Sequence, residues 1–269
     1  MNIACIYREP RFSPNMADAD AAILDAVAQR LTARGHVVTP DIDHAQVVFS
    51  MARSAEMLGH LRQVEGRGVR VINSTQAIDN CNRAHFTCLF MHHHIPMPPS
   101  TVCTDIPSYN LQSSIFNLNY PLWIKKGDGY CECPDDVVYA TDPTDALTAM
   151  QQMTERGIQS VVVNEHAVGD LVKFYGVRGT DFFRWYYASD GHSKFGLESI
   201  NGKEQGHAFN VANLMRTCDQ AASILNLDIY GGDCVVCPDG IFQIIDFNDW
   251  PSFSRVRDEA ADAIANLVV

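Results

Sequence analysis

The chain has 269 residues, 46% of them hydrophobic, and a formal net charge of −12 from 20 basic and 32 acidic side chains. That length supports a sizeable core and more than one folding unit, and the apolar content excludes disorder. The negative charge excludes general binding to nucleic acid or an anionic membrane, which need a broad basic surface, and no apolar run approaches the ~18 residues of a membrane span.

In chain order, Ile3 to Tyr7 reads as a short apolar strand. Arg8, Glu9 and Arg11 follow at once, without the long apolar stretch of a signal peptide, so a cytoplasmic protein is expected. From Met16 to Arg34 the residues Ile23, Leu24, Val27 and Leu31 recur at helical spacing, with Gly35 as the stop. Val47 to Phe49 is the next strand, Met57 to Val64 the next helix, and Val69 to Ile72 a third strand. This β-α-β-α-β rhythm predicts a small parallel sheet with helices on its faces. No Gly-x-Gly-x-x-Gly follows its first strand, so it is not read as a dinucleotide-binding domain.

A helical pair is predicted over Thr75 to His92, then a proline-rich linker from Ile95 to Thr101. Pro121 to Lys125 reads as a strand ending on a lysine, Thr144 to Arg156 as a helix, and Val161 to Val163 as a buried strand running into Asn164-Glu165-His166. Strands follow over Val172 to Val177 and Phe182 to Tyr187, a helix over Val211 to Leu225, and a last helix from Arg255. Nine cysteines, an odd number, read as buried thiols, and Cys234-x-x-Cys237 lacks the second knuckle of a zinc ribbon. His92-His93-His94 suits a helix end better than a three-ligand metal site, because consecutive helical residues diverge.

The strongest local signal lies between Gly231 and Asn248, which reads as strand, Pro238-Asp239-Gly240 turn, strand. An antiparallel pair would bring Asp233 beside Asp246, and Asn248, two residues on, shares the face of Asp246. Three oxygen-bearing side chains on one surface form a candidate site for a hard cation, which keeps water and phosphate as its other ligands.

The order of these motifs resembles the ATP-grasp superfamily. Pro121-Leu122-Trp123-Ile124-Lys125 is similar to its nucleotide lysine strand, and Val161 to His166 to the hinge whose backbone meets adenine. Gly169 to Lys173 resembles the strand that follows, and Asp233, Asp246 and Asn248 fall where the family places magnesium ligands. Two departures are that Arg83 stands where lysine is common and Asp246 where glutamate is common. The segment Lys126 to Pro134, at the place of the phosphate flap, is bulkier and more acidic than the family's.

The resemblance implies an α/β (α+β) ATP-grasp fold. It places a small parallel α/β domain over 1–100 before two lobes, 101–167 and 168–269, that clamp ATP. It implies ATP, with Mg²⁺ or Mn²⁺, as cofactors. Arg83, Lys125, Asn164, Glu165, His166 and Asp170 are the expected nucleotide contacts, and Asp233, Asp246 and Asn248 the metal ligands. Lys173, Arg178 and Lys203 are the expected catalytic cations, with Trp250 to Phe253 beside the acceptor. The style of the ribosomal-protein glutamate ligases and lysine-biosynthesis ligases implies a carboxylate–amine ligase acting on small molecules or peptides. Similarity of Asp246-Phe247-Asn248 and Pro251 to inositol-trisphosphate kinases implies a hydroxyl kinase instead, and the altered flap suits a non-catalytic nucleotide binder.

Overall fold

Apolar residues at alternating, continuous and helical spacings sort the described residues of this chain into three four-stranded sheets with helices packed on them. The computed structural model describes residues 1–13, 15–104, 117–188 and 197–268.

The first sheet contains β1 (Asn2–Ile6), β2 (Val37–Thr39), β3 (Val47–Ser50) and β4 (Arg70–Ile72), all parallel, in the order β2-β1-β3-β4. Ile3, Ala4 and Cys5 are all buried, as a parallel strand covered on both faces requires. Helices α1 (Ala17–Ala33) and α2 (Ala55–Gly66) supply the crossovers, and the Ser54 side chain caps α2 by accepting the Met57 N–H. Two short helices follow, α3 (Thr75–Asn80) and α4 (Arg83–His92), capped by Ser74 and Asn82. The histidine run closes α4: His93 is its C-terminal cap and His94 turns to a φ of 55°.

The second sheet is antiparallel, in the order β5-β8-β6-β7: β5 (Ser100–Thr104), β6 (Leu122–Lys126), β7 (Val137–Ala140) and β8 (Ser160–Glu165). Its apolar face is covered by α5 (Pro143–Glu155), which starts on the Asp142 cap and buries Ala146, Ala149, Met150 and Met153. Burying each of those methionines contributes roughly 1.5–3 kcal/mol. The proline-rich linker is shorter than expected, because Ser100 and Thr101 already belong to β5.

The third sheet is also antiparallel, in the order β10-β9-β11-β12: β9 (Asp170–Val177), β10 (Phe183–Tyr187), β11 (Ile229–Val236) and β12 (Phe242–Asp249). Helix α6 (Val211–Leu225) packs on one face together with α4, around Phe90, Phe174, Leu214 and Phe247. The last helix, α7 (Arg257–Ala265), returns to the N-terminal sheet. It shares a core with α1 that contains Leu24, Val27, Trp250 and Ile264, and Arg30 of α1 donates to Asp258 and Asp262 of α7. Cys5, Cys81, Cys103, Cys218 and Cys234 are buried as expected, whereas Cys88 is exposed and Cys131, Cys133 and Cys237 are half-buried.

Candidate nucleotide and metal site

Strand register assembles the site. Lys173 of β9 is paired with Asp233 of β11, and Asp233 with Asp246 of β12, so three charged residues form one row across the third sheet. The next row on that face is Tyr175, Gly231 and Asn248. Gly231 is needed there, since a Cβ would lie 2.8 Å from both Pro251 and Tyr175. After Asp233 the register slips, Cys234 pairing with Ile244, which leaves Ile245 as a bulge. That bulge frees the Ile245 carbonyl, which accepts the Lys125 ammonium at 3.0 Å.

Lys125 arrives from β6 of the second sheet and Arg83 from the first turn of α4. Arg83 donates to Asp246 at 3.3 Å, to the Lys126 carbonyl at 3.0 Å and to the Cys131 sulfur at 3.1 Å. Lys173 donates to Asp233 at 3.1 Å, and the Asn248 amide to the other Asp246 oxygen at 3.1 Å. Burial and the neighbouring Arg83 together pull the Lys125 ammonium down to about 8. Burial would raise Asp246, yet Arg83 and Lys125 outweigh it and hold the carboxyl below its usual range. For Arg83, burial acts downward but Cys131 and Asp246 keep the guanidinium above its ordinary value.

These groups line one cavity of about 1300 Å³ between the second and third sheets, which Arg8, Phe12, Met16 and Arg53 also line. Arg83, Lys125, Asn164, Glu165, His166, Lys173, Asp233, Asp246 and Asn248 all line it, as do Trp250, Pro251 and Ser252. The end of β8 is held by its neighbours: the Glu165 and His166 amides donate to the Pro99 and Pro121 carbonyls. Glu165 accepts both the backbone and side-chain N–H of Asn119. His166 accepts the Trp123 indole N–H at 3.1 Å, and burial lowers its pKa, so the neutral ring carries its proton on Nε2. Asn164 donates to Ser100.

Three expected site residues do not line the cavity. Arg178 donates to the Leu227 carbonyl at 2.5 Å and to Asp228 at 2.8 Å, tying the end of β9 to the entry of β11. Lys203 is exposed. Asp170 is buried and accepts the backbone N–H of Gln205 and of His207, both at 2.7 Å, so it anchors that loop. Asp170→Ala orphans two amides and is expected to lower stability by ~1–3 kcal/mol, read as a shifted urea midpoint, while leaving the cavity's charges in place.

Other residues at the cavity escaped the sequence reading. Arg8 and Arg53 stand just past the carboxyl ends of β1 and β3, where open parallel sheets present their ligand-facing residues. Both pair with Asp249, and Arg8 also with Asp20 at 2.9 Å. An arginine directly after a short buried strand was the available signal.

The donor set suits a hard divalent ion. Asp233 and Asp246 are adjacent carboxylates with an amide beside them, and among the described residues no cluster of three or more His, Cys, Asp or Glu forms. Two carboxylates and an amide leave coordination positions for phosphate oxygens and water, which is the way Mg²⁺ is commonly held.

No protein-family model matches the chain, and no curated protein matches it by sequence. Solved structures do match in shape. A RimK domain ATP-grasp protein from Sphaerobacter thermophilus superposes with a TM-score of 0.69 at 15% identity, covering 100% of this chain and 99% of its own. The VanG D-Ala:D-Ser ligase from Enterococcus faecalis gives a TM-score of 0.72 at 12% identity, covering 100% and 99%. A D-alanine–D-alanine ligase from Bacillus anthracis, complexed with ATP, gives 0.70 at 12% identity, covering 98% and 92%. The chain has the ATP-grasp fold.

Proposed function

We propose that this chain is an ATP- and Mg²⁺-dependent ligase that joins a carboxylate to an amine or similar nucleophile, releasing ADP and phosphate. The observation that carries the reading is the convergence of Lys125 and Arg83, from two distant segments, on the Asp246 carboxylate within one cavity. The fold shared with ligases over nearly their whole length supports it. Lys125 and Arg83 hold the phosphates as a point charge and a fork. Lys173 stands in the same row, placed to offset charge on the transferring group. Asp233, Asp246 and Asn248 would hold Mg²⁺, which when bound neutralises β- and γ-phosphate oxygens. The carboxylate substrate takes the γ phosphoryl group as ADP leaves, and the amine then displaces phosphate from the acyl carbon. The protein contributes position and a preorganised field.

Phosphorylation of a polyanionic alcohol is the weaker reading. Arg8, Arg53 and Lys173 each already face an aspartate, so these three cations do not offer the unbalanced positive charge a polyphosphate needs. Product analysis separates the two readings. Release of ADP and orthophosphate that requires both a carboxylate and an amine supports the ligase. A stable phosphorylated alcohol would establish the kinase.

ATP affinity should fall with rising pH. Lys125 titrates near 8 in the free protein, and bound phosphate raises that value, so the attraction is complete below pH 8 and is lost above it. Between pH 7 and 9 the dissociation constant is expected to rise ~10-fold. Titration calorimetry across that range checks this, with Lys125→Arg expected to flatten the profile.

A further inference from the structure

The segment after Lys125 is pinned at both ends. At its root the Gly127 amide donates to the Ser160 carbonyl at 2.8 Å, and a Cβ on Gly127 would meet Ser160 atoms at 2.7–2.9 Å. Asp128 accepts the Ser160 N–H at 3.2 Å. At the far end the Glu132 and Cys133 amides donate to Asp136. Between these anchors Gly129, Tyr130 and Cys131 reach the cavity, and Tyr130 crosses to the N-terminal domain. The Arg53 guanidinium lies 3.8 Å from the centre of the Tyr130 ring, and Phe12 meets the ring edge-on at 5.7 Å. Arg53 is almost fully buried and its remaining charge faces Asp249, one residue after Asn248. Its Nε has no hydrogen-bond partner, so the ring is what covers that face of the group.

Tyr130 also separates two spaces. With Gly129 it lines both the main cavity and a side cavity of about 620 Å³ bounded by Leu58, Ile78, Asn82 and Leu89. The ring therefore lies at the boundary of the phosphate end of the cleft, marked by Arg83 and Lys125, and this second space.

We propose that Tyr130 is a positioning residue: seated on Arg53, it latches the segment 127–133 over the phosphate end of the cleft and so controls nucleotide retention and exclusion of water. The proposal rests on the nucleotide reading above. A cation–π contact depends on the ring and not on the hydroxyl, which gives the latch a signature that general destabilisation lacks.

The test is the dissociation rate of Mg²⁺ with a fluorescent ATP analogue, displaced by excess ATP from the full chain. Tyr130→Ala should release the analogue ~10-fold faster and form more ADP in the absence of acceptor. Tyr130→Phe should stay close to the unmodified rates. The double variant Tyr130→Ala with Arg53→Met should be no faster than the quicker single variant, because both changes remove one contact. An unmodified rate for Tyr130→Ala, equal acceleration by Tyr130→Phe, or additive effects in the double variant would each overturn the latch. Failure of the unmodified chain to bind nucleotide would instead overturn the ligase reading, and the latch with it.

Discussion

Asp246→Asn should abolish the Mg²⁺-dependent part of ATP binding and lower turnover by ~10²- to 10³-fold. The side chain keeps its shape, so the change isolates charge. Asp246 lies beside Asp233 in register and faces Arg83, while Lys125 sits at the bulge one residue before it. Losing its charge removes one of the two carboxylates that would hold the ion and leaves two buried cations with less to face. ATP at 100 times its dissociation constant stabilises a fold by ~2.7 kcal/mol, so thermal melting with ATP, with and without Mg²⁺, reads the loss directly. A magnesium-dependent shift that survives Asp246→Asn would move the ion elsewhere. The same variant has a second readout. Asp246 is among the groups that raise Lys125, so its neutralisation should lower the lysine further and move the pH dependence of ATP binding to more acid values. Both outcomes together assign one role to the pair, metal on one side of the carboxylate and phosphate cations on the other.

What could be read in the sequence follows from how local each feature is. The hairpin that aligns Asp233 with Asp246 is encoded within one turn, and its Pro238-Asp239-Gly240 signal is local; Gly240 has a φ of 81° there. Lys125 is legible because the resemblance places it, in motif order, before the segment from Val161 to His166 and the carboxylates Asp233 and Asp246. Strands β2 and β7 were not, since three and four residues of mixed burial carry too little period to register. Arg8 and Arg53 meet Asp249 across separations of about two hundred residues, a contact set by sheet order and not by any spacing in the chain. The partners that Asp170 and Arg178 take could not be read from the sequence for a related reason. A charged residue at a strand end looks the same whether it faces a ligand or holds a loop, and only the backbone amides of Gln205 and His207, or the Leu227 carbonyl, decide between them. The bulge at Ile245 belongs in the same class, because nothing in the alternation of β12 announces that its carbonyl will be turned toward Lys125.

Asp249→Ala should cost ~3–5 kcal/mol of stability, because it leaves two buried guanidinium groups without their shared partner. Asp249 is 1% exposed and bridges Arg53 and Arg8, whose side chains are each 8% exposed. Arg8 adds the Trp250 carbonyl at 3.0 Å and Asp20 at 2.9 Å, and Asp20 in turn accepts the Ser13 hydroxyl at 2.6 Å. The quartet thus joins the N-terminal sheet to the end of β12. Two acids balance two bases, so removal of one acid strands charge in a place water reaches poorly. For a chain of this length the loss corresponds to a melting temperature ~10 °C lower, measurable by calorimetry and by urea denaturation. Substituting the pair together, Asp249→Leu with Arg53→Met, should cost less than the sum of the single changes, since the desolvation penalty of both ions is relieved at once. A loss below ~1 kcal/mol for Asp249→Ala would mean the arginines are screened as surface pairs are, and the N-terminal sheet would then be held by its other ties, among them the α1–α7 core and the Asn73 side chain bonded to the Ile229 carbonyl and the Asp228 and Ile229 amides. Because Asp249 follows Asn248 by one residue, the variant also separates two ways of losing activity. If ATP and Mg²⁺ still stabilise Asp249→Ala by the unmodified amount, the quartet sets how firmly the N-terminal sheet meets the end of β12, while the Asp246 side of the same strand sets the chemistry.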